Sequence, residues 1–261
     1  MKVLNPTLDL ETLRKGLRRR ARRLLLLDYD GTLAPFHVNP EEAVPYPGVR
    51  EVLNRLLRQP EIRLVMITGR WTKDLLPLLK LEFGVEIWGS HGLERLRPDG
   101  SYEVVSMDET PLQGLVTADE WIEAIGWSGR IEKKPGSVAI HWRGLDEPSI
   151  SAIRDRVRPQ WKFIAESWAL DLLDFDGGLE LRVPARNKGD AVRTILEETN
   201  GPAVVAYLGD DLTDEDAFKA IKGKGVGVLV REQWRPTEAD VWIKPPGELL
   251  AFLAEWLPDK S

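Results

Sequence analysis

Residues 24–27 form a continuous apolar run of four leucines, the pattern of a strand covered on both faces. Val49, Val52, Leu53, Leu56 and Leu57 then recur at i, i+3, i+4, i+7 and i+8, which predicts a helix. A strand follows over 62–67, a helix over 72–81 despite Pro77, and a strand over 85–88. Pro98-Asp99-Gly100 supplies the turn of a hairpin after them. The same alternation returns late in the chain: helix 188–199, strand 203–208, helix 214–221, strand 226–230 and a closing helix 247–256. Strands alternating with helices predict βαβ units, hence an α/β, Rossmann-like core with a mostly parallel sheet.

The stretch 112–184 has another texture. Two helical segments, about 118–125 and 147–157, sit among strands that alternate polar and apolar residues. Val138, Ile140 and Trp142 oppose Ala139, His141 and Arg143, and Leu179, Leu181 and Val183 oppose Glu180 and Arg182. Such alternation marks a sheet with one packed and one wet face. The expected organisation is a core from 1–111 and 185–261, split by an inserted α+β domain over 112–184.

Composition narrows the chemistry. The chain of 261 residues has no cysteine, which excludes disulfides, thiolate metal sites and Cys nucleophiles. Three histidines against 42 carboxylates point to oxygen ligands and a hard ion such as Mg²⁺. A net charge of −6 argues against general nucleic-acid affinity. No apolar run has the length of a membrane span, and residues 1–6 lack the apolar core of a signal peptide. A cytoplasmic monomer acting on a small molecule is expected. Arg14, Lys15, Arg18, Arg19, Arg20, Arg22 and Arg23 crowd ten positions and read as the solvated face of a basic N-terminal helix within 1–23.

Candidate chemistry gathers at strand ends, where open α/β sheets bind ligands. Asp28 and Asp30 project from one side of the first strand's end, and Gly31 allows a sharp turn. Thr68-Gly69-Arg70 puts a hydroxyl and backbone N–H groups at a strand-to-helix transition, where they suit a phosphate oxygen or serve as a helix cap. Lys188 stands early in a helix, a poor position for a cation unless an anion is nearby. Asp210, Asp211, Asp214, Glu215 and Asp216 put five carboxylates in seven residues, which repel one another unless a cation sits among them.

In this order, the four motifs resemble those of the haloacid-dehalogenase (HAD) superfamily of phosphotransferases. Leu27-Asp-Tyr-Asp-Gly-Thr-Leu-Ala34, Ser90-His-Gly-Leu-Glu94, Glu132-Lys-Lys134, His141-Trp-Arg143 and Tyr207-Leu-Gly-Asp-Asp-Leu-Thr-Asp-Glu-Asp-Ala-Phe218 are similar to the trehalose-6-phosphate phosphatase family over about residues 22–256. The resemblance implies Asp28 as the nucleophile that becomes an aspartyl phosphate, and Asp30 as general acid and base. It implies Mg²⁺ held by Asp28, the Asp30 backbone carbonyl and Asp210, with Asp211 and Asp214 coordinating or orienting the site. Thr68 and Lys188 would offset phosphate charge, with Arg70 beside them. The inserted domain would be a cap that holds the second sugar of a phosphosugar through Glu132, Lys134 and Glu180, supported by His91, His141 and Arg143.

Three other readings share parts of this pattern. A phosphatase for sucrose phosphate or mannosyl-phosphoglycerate would share the core and differ in the cap. A phosphorylatable receiver domain also combines acidic residues, Thr and Lys, but its acidic pair precedes the phosphorylated Asp, whereas here the clustered aspartates come last. A silent partner of a sugar-nucleotide synthase would not need Asp28, Asp30, Lys188 and Asp210 intact. The four cap tryptophans Trp127, Trp142, Trp161 and Trp168 suit either core packing or a sugar platform.

Overall fold

In the computed structural model, which describes residues 1–18, 22–175, 177–184 and 186–258, the leucine run lies inside a slightly longer strand. Before residue 104 the elements are β1 (Lys2–Val3), α1 (Leu10–Arg18), β2 (Arg22–Leu27), α2 (Val49–Leu57), β3 (Ile62–Ile67), α3 (Thr72–Leu79), β4 (Glu86–Gly89), β5 (Glu94–Leu96) and β6 (Tyr102–Val104). Next come α4 (Glu109–Ala124), β7 (Ile131–Lys134), β8 (Ser137–His141), α5 (Glu147–Trp168), β9 (Asp171–Phe175) and β10 (Gly178–Arg182). The chain then continues through α6 (Lys188–Glu198), β11 (Ala203–Gly209), α7 (Glu215–Ile221), β12 (Val226–Val230), β13 (Val241–Ile243) and α8 (Gly247–Ala254). It divides into two units: Val104–Arg186, and the segments on either side of it.

The larger unit carries a nine-stranded sheet in the order β1-β13-β12-β11-β2-β3-β4-β5-β6. From β13 to β4 every pairing is parallel, and β1 and β5 add antiparallel neighbours at the two margins. Alternating side chains of β2 serve both faces. Leu25 and Leu27 join a buried cluster with Leu53 and Leu56 of α2 and Phe252 of α8, while Leu24 and Leu26 join Val192 and Ile195 of α6 and Phe218 of α7. Each such buried leucine contributes about 1.5–3 kcal/mol. Because the strands are parallel, Asp28, Thr68 and Asp210 emerge at the same, carboxyl-terminal edge of the sheet.

Within Val104–Arg186, a four-stranded antiparallel sheet runs β7-β8-β10-β9, and α4 and α5 pack on it. Its helices are longer than the sequence pattern suggests. The first begins at Glu109, and the second continues past Pro159 to Trp168. The buried stripe Ile153, Val157, Trp161, Ile164 keeps helical spacing across the proline, so its burial outweighs the one backbone hydrogen bond that Pro159 removes. Trp142 and Trp161 are buried, and Trp168 closes on Gly114, where a Cβ would lie 2.4 Å from the Trp168 Cβ.

The basic N-terminal segment departs from expectation. The helix spans Leu10–Arg18, whereas Arg22 and Arg23 belong to β2; Arg19 and Arg20 lie outside the described residues. Arg23 is buried and donates to the Trp256 carbonyl at 2.6 Å, Arg22 donates to the Asn200 carbonyl at 2.6 Å, and Arg14 pairs with Glu255 at 3.1 Å. These cations are dispersed because the pull of β2 into the sheet exceeds helix propensity.

Candidate active site

β2 delivers Asp28 into a nearly closed environment. Its Oδ1 accepts from Lys188 Nζ at 2.7 Å and its Oδ2 from Thr32 Oγ1 at 3.0 Å. Lys188 opens α6 directly after the N-cap Asn187, which forms a reciprocal capping box with Asp190. That cap sets where the helix starts, and so where the buried ammonium points. Lys188 also reaches Asp214 Oδ1 at 2.6 Å. The unfavourable position of a cation at a helix N-terminus is thereby offset by two carboxylates.

Asp214 folds back under its own loop. Besides Lys188, it accepts from Tyr207 OH on Oδ1, and from the Asp210 and Asp211 amides on Oδ2 at 3.0 and 2.9 Å. Two glycines make this geometry possible. A Cβ on Gly209 would lie 2.4 Å from Asp214 Cγ, and one on Gly31, whose φ is +79°, would lie 2.1 Å from Asp210 Oδ2. The Gly after Asp30 therefore serves both the turn and the close approach of Asp210.

Asp28, Asp210 and Asp214 bring carboxylate oxygens within 4.8 Å of one another. Four hydrogen bonds use all four acceptor positions of Asp214, so the carboxylates with capacity for a cation are Asp28 and Asp210. Burial pushes the Asp28 carboxyl up to about 7 against the pull of Lys188. Burial and repulsion from Asp28 and Asp214 push Asp210 well above the ordinary carboxylate range. Burial would raise Asp214 too, but Lys188 and its hydrogen bonds hold it below the usual value. Lys188 is held above the usual lysine value, the attraction of Asp214 and Asp28 outweighing its burial. Asp214 and Lys188 thus form an ion pair, next to two carboxylates whose charge needs a counterion. An all-oxygen donor set with a cradle only glycine leaves open fits Mg²⁺.

The remaining predicted residues divide into those the fold gathers here and those it does not. The Asp30 carboxylate is engaged by a bidentate fork from Arg70, both bonds 2.7 Å, and Arg70 also donates to the Pro40 carbonyl at 2.9 Å. Thr68, at the end of β3, accepts from the Arg70 amide at 3.1 Å, which leaves its own O–H to donate. Asp211 caps the 3-10 turn Leu212–Asp214 and lies outside the acidic cluster. His91 sits in a run of left-handed residues, Ser90, His91 and Gly92, with φ of +48°, +57° and +99°. Its amide donates to the Thr68 carbonyl at 3.0 Å and its ring covers Gly69, where a Cβ would be 2.6 Å away. His91 thus backs the Thr68 loop.

Glu94 supports the same loop. This buried carboxylate accepts from the Thr72 amide and hydroxyl at 3.0 Å each, and from Ser90 Oγ and Tyr102 OH at 2.8 Å each. Sequence reasoning noted Glu94 only as part of a motif. A lone carboxylate between Leu93 and Arg95, whose partners Thr72 and Tyr102 lie 22 and 8 residues away, gives no periodic signal.

In the second unit, cross-strand register puts Glu132, Ala139 and Glu180 in one row, and Lys134, Ser137 and Arg182 in the next, on a single face. Lys134 Nζ lies 2.9 Å from Glu180 Oε1 and 3.8 Å from Glu132 Oε2. Ser137 Oγ donates to Glu180 at 2.8 Å, and His141 Nε2 meets Glu132 Oε2 at 2.9 Å. Burial opposes the ionised form of Glu132, but Lys134 and His141 outweigh it and lower its pKa to about 2. The face is less wet than its alternation suggests: Ser137, Ala139 and Glu180 are buried, because the charges on it neutralise one another. Arg143 follows the end of β8 and runs along Gly177, where a Cβ would lie 2.4 Å from Arg143 Cγ.

Residues 26–241 match the family model described as trehalose-phosphatase. A Mycobacterium tuberculosis protein named as an uncharacterized glycosyl hydrolase is 34% identical over 257 residues, which cover 92% of this chain and 19% of that protein. The chain thus spans about a fifth of that relative's length. A probable trehalose-phosphate phosphatase D of Arabidopsis thaliana is 29% identical, covering 89% of this chain and 67% of the relative. In fold, the chain is similar to the C-terminal domain of Candida albicans trehalose-6-phosphate phosphatase, with a TM-score of 0.82, 22% identity and coverage of 98% and 99% of the two chains.

Proposed function

The chain belongs to the trehalose-phosphatase family, and from that premise we propose that it hydrolyses trehalose 6-phosphate to trehalose and phosphate, with Mg²⁺ and an aspartyl-phosphate intermediate on Asp28. The observation that carries the reading is the Asp28 carboxylate, held by Lys188 and Thr32 beside Asp210 and the Lys188–Asp214 pair. Mg²⁺ would be held by Asp28, Asp210 and the Asp30 backbone carbonyl, and when bound would supply the positive charge that offsets the phosphoryl group and its surrounding carboxylates.

Each residue then has a definite task. Asp28 attacks phosphorus as the bond to the sugar oxygen breaks, and Asp30 delivers a proton to that leaving oxygen. Asp30 next takes a proton from water, whose oxygen attacks phosphorus and frees Asp28 together with inorganic phosphate. For Asp30 to handle protons, one arm of the Arg70 fork has to open. Lys188 keeps Asp28 oriented and favours its ionised form, and Asp214 keeps Lys188 oriented in turn. The Thr68 hydroxyl and adjoining loop amides donate to phosphoryl oxygens.

The cluster of Glu132, Lys134, Ser137, His141 and Glu180 suits the hydroxyls of the second glucose, since paired carboxylates and an ammonium offer both acceptors and donors. No helix among the described residues is long and apolar enough to cross a membrane, and a monomer working in the cytoplasm completes the reading.

The test is phosphate release from a panel of phosphosugars, with Mg²⁺ and with EDTA. Trehalose 6-phosphate should be the favoured substrate, turnover should require the metal, and Asp28→Asn should form no acid-stable phosphoenzyme. A preference for sucrose phosphate would overturn the substrate, equal turnover in EDTA the metal, and undiminished activity of Asp28→Asn the nucleophile.

A further inference from the structure

Arg235 lies well beyond the acidic motif, in the loop between β12 and β13, yet its guanidinium grips that motif's backbone. Nε donates to the Asp210 carbonyl at 3.2 Å and Nη2 to the Asp211 carbonyl at 2.7 Å. Nη1 donates to the Pro236 carbonyl at 2.8 Å and pairs with Glu215 Oε1. Glu215 is itself fixed, accepting from Thr237 Oγ1 at 2.8 Å and from the Glu238 amide at 2.7 Å. The two side chains are only 14% and 16% exposed.

This arrangement answers a mechanical need. Asp28, Asp210 and Asp214 are buried and crowded together, so the strand-end loop experiences like-charge repulsion whenever no cation is present. A glutamate at the start of α7 complements the helix dipole, but the Glu215 carboxylate faces Arg235, Thr237 and Glu238. Two loops are tied together, and one of them carries Asp210. A planar fork that spans consecutive carbonyls fixes the peptide between them, and so the direction in which the Asp210 side chain leaves it. Among the described residues, Arg231 adds one long bond to the Asp210 carbonyl, 3.4 Å.

We infer that Arg235, locked by Glu215, is a positioning residue that holds the Asp210–Asp211 peptide in the geometry that binds the divalent cation. This rests on the metal part of the proposed function. Charge and geometry predict opposite signs. As a bare positive charge, Arg235 repels a divalent cation, and its loss would tighten metal binding. As a clamp it supports the cation site, and its loss weakens binding by the roughly 10–100-fold typical of groups that orient metal ligands.

The experiment measures Mn²⁺ binding to the purified full-length protein without substrate, from the decline of the free-ion electron paramagnetic resonance signal, with thermal unfolding in EDTA alongside. Wild type should bind Mn²⁺. Arg235→Gln and Arg235→Lys should both bind it about 10–100-fold more weakly, because a lysine keeps the charge but cannot span two carbonyls. Glu215→Gln should weaken binding in the same direction and add little to Arg235→Gln, since both act through one contact. Should either arginine variant fail to fold, Thr237→Val, which leaves every charge in place and removes one bond that fixes Glu215, carries the test by weakening Mn²⁺ binding in the same direction. Unchanged or tighter binding in the variants, or full recovery in Arg235→Lys, would overturn the inference while leaving the cation site standing. A wild-type protein that binds no Mn²⁺ would overturn the cation reading and this inference with it.

Discussion

Replacing Lys188 with methionine removes the positive charge that bridges Asp28 and Asp214 while roughly keeping side-chain length. Both carboxylates are buried, and each loses a bond to the ammonium, 2.7 and 2.6 Å in the native protein. Hydrogen bonds to charged groups contribute about 1.5–3 kcal/mol each, and breaking a buried pair by removing one partner costs about 3–5 kcal/mol. The two figures overlap, and the cost falls at the low end, about 3 kcal/mol, because Tyr207 and two backbone amides remain on Asp214. At about 2–4 °C per kcal/mol for a chain of this size, the melting temperature of the larger unit should fall by about 10 °C. Calorimetry in EDTA measures it. The pH dependence gives a second, sharper check. A carboxyl whose folded pKa is above its unfolded value of 3.8 binds more protons folded than unfolded, so stability declines as pH rises between the two. Asp28 already behaves so in the native protein, with its folded value near 7, and loss of Lys188 raises that value further. The deficit of Lys188→Met relative to wild type should therefore be small near pH 4 and largest above pH 7. A deficit equal at pH 5 and pH 8, or a melting shift under about 2 °C, would refute the ion-pair account.

Gly31→Ala should disturb the cation site through Asp210: its Cβ would fall 2.1 Å from Asp210 Oδ2 at a φ of +79°, a left-handed conformation costing a non-glycine residue about 1–2 kcal/mol. Mg²⁺ titration of activity should show the loss of apparent metal affinity, and a wild-type titration curve would contradict it. Glu180→Gln should lower kcat/KM for trehalose 6-phosphate about ten- to a hundredfold through a weakened charged hydrogen bond, and leave a small aryl phosphate nearly unaffected. Equal losses on both substrates would assign Glu180 to folding.

Periodicity made the parallel core legible because its strands are buried on both faces and its helices carry one apolar stripe each. It missed β1 and β13, whose two and three residues are too short to show a pattern, and it stopped α5 at a proline that the buried Trp161 stripe overrides. Asp28, Lys188, Asp210 and Asp214 stood out because charges clustered at strand ends and helix starts need an explanation. The sequence reading named Asp28 and Asp210 for the cation but left open which of Asp211 and Asp214 joins them: the two are chemically identical in sequence, and only the folded chain shows that Asp214 is saturated by Lys188, Tyr207 and two amides. Arg235 was invisible for a different reason. Its partners are backbone carbonyls more than twenty residues away, and a carbonyl leaves no mark in a sequence.

Glu94 also bears on how the molecule opens. One carboxylate accepts four hydrogen bonds from three segments: the first turn of α3, the loop after β4, and β6. An opening that withdraws any one of them leaves a buried anion short of donors, a penalty that falls on the other two. The outermost strand and the Thr68 loop are therefore parts of one cooperative unit, and sub-global fluctuations of the sheet margin must carry that loop with them rather than fray independently.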